Sequence, residues 1–271
     1  NTYAVVPFHL GMEAYKADGK RLLALAVDLC IEARGDRDDV AILGSIPPIC
    51  GSYQPDSFDA SVAGPVIDDF LNAYCNKVDV LLLETIGSVK EADFYLRKIK
   101  ETEGKPLPVW LSFCLEIEPG YHQHPRLLSG DSLTSAVQAL SESGHLDLDN
   151  RIEAILVNCC DIRVVALALE ELRVALAATN KQHVIRTGAY PNAFSVPPPG
   201  AANHTLRHFD SNITPDRLKT RAVEWMALGA DIVGGCCGVG PEHIEALAKL
   251  RHNDDCNDDA RAEKKELSSS A

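Results

Sequence analysis

The sequence has few aromatic residues, few cations relative to anions and no long apolar run. Phe, Trp and Tyr make up 6% of the 271 residues, and 26 Lys and Arg stand against 39 Asp and Glu, a formal net charge of −13. The shortage of cations argues against nucleic acid or an anionic membrane surface as a partner, because both need a concentrated basic patch. The longest apolar stretches, Leu22–Val27 and Val164–Leu169, are far shorter than the ~20 residues that span a bilayer.

The nine cysteines are odd in number and lack the paired spacing of a zinc ribbon. Disulfide frameworks belong to small secreted chains, whereas a chain with 46% hydrophobic residues can bury a core without cross-links. We therefore expect reduced thiols, a cytoplasmic location, and small packed side chains at most of these positions. The composition does not indicate an oligomeric state.

Six apolar runs of strand length alternate with helical patterns. They are Ala41–Ile46, Val78–Glu84, Pro108–Leu115, Glu153–Cys160, His183–Tyr190 and Asp231–Gly235. Continuous apolar runs predict parallel strands buried on both faces. The alternation predicts a parallel sheet with helices, either doubly wound or closed into a (βα)8 barrel. We expect one domain over residues 1–251 and a disordered acidic tail over residues 252–271.

Before one helix, Ser88 and Glu91 have the spacing of a reciprocal capping box.

Polar and thiol side chains gather where these runs end. Glu84 ends the second run, Asn158-Cys159-Cys160 the fourth, Tyr190-Pro191-Asn192 the fifth, and Gly234–Gly238, which contains Cys236 and Cys237, the last. The C-terminal ends of parallel strands meet at one rim, where α/β folds place active sites. Thiolates of Cys159, Cys236 and Cys237 would suit Zn²⁺ and leave a fourth position for substrate. Small core cysteines are an equally consistent interpretation of the spacing alone.

Two of these segments resemble motifs of the homocysteine S-methyltransferase family. They are Gly234–Gly238 continuing through Gly240-Pro241-Glu242-His243-Ile244, and Val157-Asn158-Cys159. Further similar segments, in the family's order, are Asn1–Tyr3, Gly44–Pro48, Val80–Thr85 and Tyr190–Asn192. The resemblance extends over roughly residues 1–250.

The resemblance implies a (βα)8 barrel whose zinc is held by Cys159, Cys236 and Cys237, with the homocysteine sulfur as fourth ligand. Zinc would favour the thiolate, which would attack a methyl group of a sulfonium donor, S-methylmethionine or S-adenosylmethionine, and form methionine. Glu84 resembles the acidic residue that receives the amino group of homocysteine, although a polar strand end is its alternative interpretation. Asn158 is a candidate substrate contact, and an ordinary strand-end asparagine is as consistent.

This chain departs from the family at its start. Members begin with a strand, a helix and a second strand that ends in the Asn-Thr-Tyr with which this chain opens. We therefore expect a (βα)8 barrel lacking its first two strands: six parallel strands, with the gap between Ala41–Ile46 and Asp231–Gly235. Because the pocket would be open to water, we expect this chain alone to bind zinc but turn over slowly or not at all. Asn1 in place of Met favours a fragment over a partner-completed barrel or an inactive remnant.

Two functions of different class remain open, a zinc-dependent methyltransferase and a non-catalytic zinc-binding relative. A betaine donor is a weaker alternative, because a quaternary ammonium group needs a cage that is usually aromatic. We expect the three candidate ligand sulfurs to lie near 3.7 Å apart around a metal, and somewhat further apart without one. The cysteines expected away from that cluster are Cys30, Cys50, Cys75 and Cys114.

Overall fold

The structure is a computed structural model that describes residues 1–102, 107–116, 124–147, 151–194 and 210–250. The tail expected over residues 252–271 lies outside the described residues and stays a prediction. Within the described ranges, no helix is both long enough and apolar enough to cross a membrane.

Helices and strands alternate along the chain. The helices are α1 (Pro7–Leu10), α2 (Met12–Arg34), α3 (Ala60–Tyr74), α4 (Val89–Glu101), α5 (Leu133–Glu142), α6 (Val165–Ala178) and α7 (Pro215–Ala227), with a short 3-10 helix at Pro55–Ser57. Residues 241–250 form a further helix. The strands are β1 (Leu43–Ile46), β2 (Val80–Ile86), β3 (Val109–Cys114), β4 (Ile152–Asp161), β5 (Arg186–Asn192) and β6 (Ile232–Val233).

All six strands lie side by side in one parallel sheet, in the order of the chain. Each connection between neighbouring strands contains a helix, as the connections of a (βα)8 barrel do. In the described part of the chain, β1 pairs only with β2 and β6 pairs only with β5. The prediction of six parallel strands, with the gap between the first and the last, is confirmed.

Only β1 ends where predicted, at Ile46. β3 and β4 end one residue from the predicted position, and β2, β5 and β6 end two residues from it. β2 continues to Ile86 rather than Glu84, and its register with β3 shifts between Leu83 and Ile86. The shift contains Thr85, whose backbone lies in the left-handed region with a φ of 62°. β6 is only Ile232–Val233, because the chain leaves strand geometry at the glycines that follow. Bulges of this kind leave no mark in the hydrophobic pattern.

Side chains on the inner face of the sheet change from apolar to polar toward the C-terminal rim. The lower layer is apolar and consists of Leu82, Ala154 and Leu156, with Leu43, Trp110, Tyr190 and Ile232 packed against it. Successive side chains of a strand point to opposite faces, so positions two residues further on face the same side. Those positions hold Ser45, Glu84, Ser112 and Asn158. The larger apolar core lies between the other face of the sheet and the helices.

Only half of the capping box at α4 is confirmed. The side chain of Ser88 accepts a hydrogen bond from the Glu91 N–H at 3.2 Å. The Glu91 carboxyl does not return the bond, and accepts instead from the Tyr95 hydroxyl at 3.0 Å and from the Gly87 N–H at 3.4 Å. The Tyr95 hydroxyl accepts from the Ile49 N–H at 3.0 Å. The buried carboxyl therefore links the segments that follow β1 and β2.

Replacing Glu91 by Gln should flatten the pH dependence of stability. Burial raises the pKa of Glu91 to about 7, above its unfolded value, so the stabilisation is present at low pH and is lost as the pH rises through 7. Between pH 5 and pH 8, the free energy of unfolding of the wild type should fall by roughly 2–3 kcal/mol more than that of Glu91→Gln. Urea denaturation measures both.

The control is Glu101→Gln, which changes an exposed carboxylate at the end of the same helix. This variant should keep the pH dependence of the wild type. Equal pH dependence in the wild type and Glu91→Gln would contradict the assignment of a protonated buried carboxyl.

Candidate metal centre

The three cysteine side chains predicted to meet do so at the C-terminal rim of the sheet. Cys159 is in β4, and Cys236 and Cys237 follow β6. Their Sγ atoms are 2.8 Å apart for Cys159 and Cys236, 3.9 Å for Cys159 and Cys237, and 4.0 Å for Cys236 and Cys237. The shortest separation exceeds the ~2.05 Å of a disulfide bond and is less than the ~3.7 Å around a tetrahedral zinc. The expected convergence is confirmed. The expectation of separations somewhat above 3.7 Å without a metal holds for the two pairs that include Cys237 and is wrong for Cys159 and Cys236.

Departures from strand geometry bring these thiols together. Cys159 has a φ of 51° and lies where the register between β4 and β5 shifts, between Asn158 and Asp161. A non-glycine residue in this region costs about 1–3 kcal/mol and is common at functional sites. In the loop that carries Cys236 and Cys237, a Cβ at Gly235 would lie 2.2 Å from Cγ1 of Val239. The tight loop after β6 therefore requires glycine at this position.

The end of β5 holds the loop that carries the other two thiols. The Cys236 N–H donates to the Pro191 carbonyl at 2.8 Å, and the Cys237 N–H donates to Oδ1 of Asn192 at 3.2 Å. Asn192 is buried, so its amide is fixed in place. The adjacent cysteines consequently depart from the alternation of a strand and present both sulfurs to Cys159.

The chemistry of this donor set fits a soft divalent cation. The sulfurs of Cys159 and Cys237, together with burial, raise the pKa of Cys236 far above its ordinary value. Three thiolates in such a place need a cation to offset their charge, and a bound cation lowers thiol pKa values strongly. The three Sγ atoms lie within 4.8 Å of one another, and the group could hold a metal ion. A three-sulfur site leaves one tetrahedral position open.

The carboxyl group of Glu84 lies on the same rim. It accepts a hydrogen bond from the Ser45 hydroxyl of β1, and the Tyr190 hydroxyl and the Cys237 sulfur lie near it. Burial and the Cys237 sulfur raise the pKa of Glu84. Among the ion pairs of the described residues, none involves this carboxyl. Its position is the expected one, and its role stays a prediction.

The side chain of Asn158 is fully buried and braces three strands. Oδ1 accepts from the Thr85 N–H at 2.9 Å and from the Ser112 hydroxyl at 2.7 Å, and Nδ2 donates to the Thr85 hydroxyl at 2.9 Å. These bonds use both acceptor positions and one of the two amide hydrogens. One amide hydrogen of Asn158 is therefore available for the predicted contact with substrate, and that contact stays a prediction.

A profile of the family described as homocysteine S-methyltransferase matches residues 1–251. The chain belongs to this family. The homocysteine S-methyltransferase YbgG of Bacillus subtilis (strain 168) is 25% identical over 252 residues, which cover 86% of this chain and 71% of that protein. The resemblance inferred from the motifs is thus confirmed.

Solved structures of the homocysteine methyltransferase MmuM from Escherichia coli share the fold. The metallated form superposes with a TM-score of 0.61 at 20% identity, covering 91% of this chain and 76% of that chain. The oxidized form gives 0.62 at 21% identity, covering 92% and 77%. The likeness confirms the barrel fold predicted for this homocysteine S-methyltransferase family member.

Three tyrosines approach the cysteine cluster and Glu84. Tyr3 and Tyr190 lie in segments that the sequence motifs included, whereas no motif included Tyr53. The Tyr53 side chain lies against the thiol of Cys159. The Tyr3 hydroxyl forms a hydrogen bond with the Ser52 hydroxyl at 2.7 Å and lies near Cys159. Burial is the main cause that raises the pKa of all three phenols. The signal that could have identified Tyr53 is its place in the loop directly after β1.

Cys114 lies closer to the cluster than expected. Its Sγ is 3.7 Å from the carbonyl oxygen of Cys159, because it ends β3 in register with Asn158 of β4. The prediction that Cys114 stays away from the cluster is therefore wrong. Cys50 instead contacts the backbone of Asp59.

Replacing Asn158 by Ala should lower the free energy of unfolding by about 2–4 kcal/mol. The variant leaves the Thr85 N–H and the Ser112 hydroxyl buried without their acceptor. Urea denaturation measures the change. The control is Asn72→Ala on the exposed face of α3, which should stay within about 0.5 kcal/mol of the wild type. Equal effects of the two substitutions would contradict the bracing role.

Proposed function

We propose that this chain binds zinc through Cys159, Cys236 and Cys237 and transfers a methyl group from a sulfonium donor to homocysteine, forming methionine. The observation that carries the proposal is the convergence of three Sγ atoms within 4.8 Å at the rim. Family membership supports homocysteine as the methyl acceptor.

Each group of the rim has a defined part in this proposal. When bound, zinc supplies the positive charge that favours the thiolate form of homocysteine at neutral pH. The three cysteines hold the metal, and Asn158 and Asn192 hold the backbone that carries them. Glu84 binds the ammonium group of homocysteine, because opposite charges attract strongly in a pocket of low dielectric constant.

The charge of the site favours a cationic methyl donor. The thiolate attacks the methyl carbon of the sulfonium, a new S–C bond forms, and the electron pair of the broken C–S bond stays on the donor sulfur. A thiolate and a sulfonium thereby become two neutral thioethers. A low dielectric constant favours this loss of opposite charges, so the opening to water expected between β1 and β6 would slow the step. S-methylmethionine and S-adenosylmethionine both carry the required charge.

A quaternary ammonium donor such as betaine is the second candidate. Composition alone indicated no aromatic cage, since 6% of the residues are aromatic. The approach of Tyr3, Tyr53 and Tyr190 to the cysteine and glutamate side chains favours this candidate more than composition did, because tyrosine rings attract quaternary ammonium groups.

The zinc-loaded chain should form methionine slowly from homocysteine and a sulfonium donor under single-turnover conditions, because the gap between β1 and β6 opens the pocket to water, and more slowly still from betaine. Mass spectrometry measures the methionine formed. Cys159→Ser, Cys236→Ser and Cys237→Ser should each lose bound zinc and activity. The matched control Cys160→Ala, at the buried neighbour of Cys159, should keep both. Zinc is measured by elemental analysis after gel filtration.

Other results would redirect the assignment. Faster turnover with betaine would favour the second candidate. Bound zinc without product from any donor would indicate a non-catalytic relative. Full zinc retention in all three serine variants would contradict the ligand set.

Replacing Glu84 by Gln should raise the KM for homocysteine about 10-fold or more, because a hydrogen bond to a charged group contributes about 1.5–3 kcal/mol. Zinc content should not change. The control Glu91→Gln removes another buried carboxyl, one that bonds to Tyr95 in the helical layer, and should leave the KM as it is. An unchanged KM in Glu84→Gln would contradict the amino-group role.

A further inference from the structure

The side chain of Tyr190 joins the two layers of the inner face. Its ring packs on the apolar layer that contains Leu82 and Leu156. The next strand approaches closely, since a Cβ at Gly234 would lie 3.3 Å from the Tyr190 Cβ. Packing from below and from β6 fixes the ring, and the hydroxyl extends toward the polar layer.

The hydroxyl of Tyr190 is buried and forms no hydrogen bond of normal geometry among the described residues. The Glu84 carboxyl and the Ser112 hydroxyl are its polar neighbours, but neither completes such a bond. A buried polar group without a partner costs about 1–3 kcal/mol, and such groups are rare in folded proteins unless a ligand or water completes them. The same condition holds for Nε1 of Trp110, but Arg186, at the start of β5, lies over the Trp110 ring, so that residue is at the opposite end of the strands from the rim. Tyr190 is therefore the unpaired hydroxyl at the level of the rim chemistry.

The groups around this hydroxyl are those of the proposed homocysteine pocket. Glu84, Ser112 and the sulfurs of Cys236 and Cys159 all lie near it. Burial and the Glu84 carboxylate raise the pKa of Tyr190, so the phenol stays protonated at neutral pH. A phenol offers one donor and acceptor lone pairs. It can therefore accept a hydrogen bond from a cation that Glu84 also binds.

We propose that the Tyr190 hydroxyl is a second ligand for the α-amino group of homocysteine, accepting one ammonium N–H while Glu84 accepts another. This inference rests on the proposed function and adds a determinant of substrate class. An ammonium group has three N–H donors, and the oxygen of Tyr190 supplies an acceptor beside the carboxylate. The site should therefore select thiols that carry an α-amino group over thiols that lack one.

The test compares homocysteine with γ-mercaptobutyrate, which has the same thiol, chain and carboxylate but no amino group. Isothermal titration calorimetry on the zinc-loaded full chain, without methyl donor, gives the Kd of each ligand. Tyr190→Phe should weaken homocysteine binding about 10-fold or more and change γ-mercaptobutyrate binding less than about 2-fold. The control Tyr95→Phe removes a buried hydroxyl that bonds to Glu91 in the helical layer and should change neither Kd.

Each other outcome overturns a specific claim. An equal loss for both ligands in Tyr190→Phe would indicate a structural role and overturn the inference. An unchanged Kd for homocysteine would also overturn it and would indicate that water completes the hydroxyl. Zinc-loaded wild type that fails to bind homocysteine would overturn the proposed function itself, together with the inference that rests on it.

Discussion

The hydrogen bonds of the Asn158 side chain hold β2, β3 and β4 together directly beneath the cysteine cluster. Two strained residues flank this amide: Thr85, which it binds at two atoms, and Cys159, which follows it in the chain. Left-handed backbone at such residues persists only where the surrounding structure determines it. The position of the Cys159 thiol therefore depends on the side-chain amide of Asn158. Because that amide joins β2, β3 and β4, the geometry of the candidate metal centre depends on the register of these three strands.

The loop that carries Cys236 and Cys237 has separate support at each end. β5 binds its start through Pro191 and Asn192. At its end, the Gly240 N–H donates to Nδ1 of His243 at 3.2 Å, and Nε2 of the same ring lies 2.9 Å from the Ile213 carbonyl oxygen. With Nδ1 accepting, Nε2 carries the proton and donates to that carbonyl. His243 of the family motif thus anchors the loop to the segment before α7.

Parallel-strand geometry explains why much of this arrangement could be predicted from sequence. Six apolar runs place their polar ends at one rim, so Cys159, Cys236 and Cys237 could be expected to meet although 76 residues of the chain separate the first two. The bulges could not be predicted, because Thr85 and Cys159 are not residue types that favour left-handed backbone. The hydrogen-bond partner of the Glu91 carboxyl could not be predicted either. The hydroxyl of Tyr95, one helical turn away, takes the place of the Ser88 N–H that a capping box would supply.

The contacts of loop residues could not be predicted from the hydrophobic pattern for a related reason. A strand restricts its side chains to two directions, whereas the direction of Tyr53 depends on a loop whose path no periodicity records. Cys114 lies beside the cluster because β3 pairs it with Asn158 of β4, and the hydrophobic pattern of a single strand does not specify its register with the next. Both cases show that partners across strands and loops are set by tertiary contacts rather than by local pattern.

The charges on the rim also account for the direction of the proposed reaction. With zinc bound as proposed, three cysteine thiolates and the Glu84 carboxylate would carry more negative charge than the metal offsets, in a chain whose net charge is already −13. Such a field attracts the ammonium group of the amino-acid substrate and a sulfonium donor alike. After methyl transfer, the sulfur of methionine is a neutral thioether and a weaker ligand than a thiolate, because the thiolate is the form that binds metals. Substrate charge therefore favours binding before transfer, and its loss favours release afterwards.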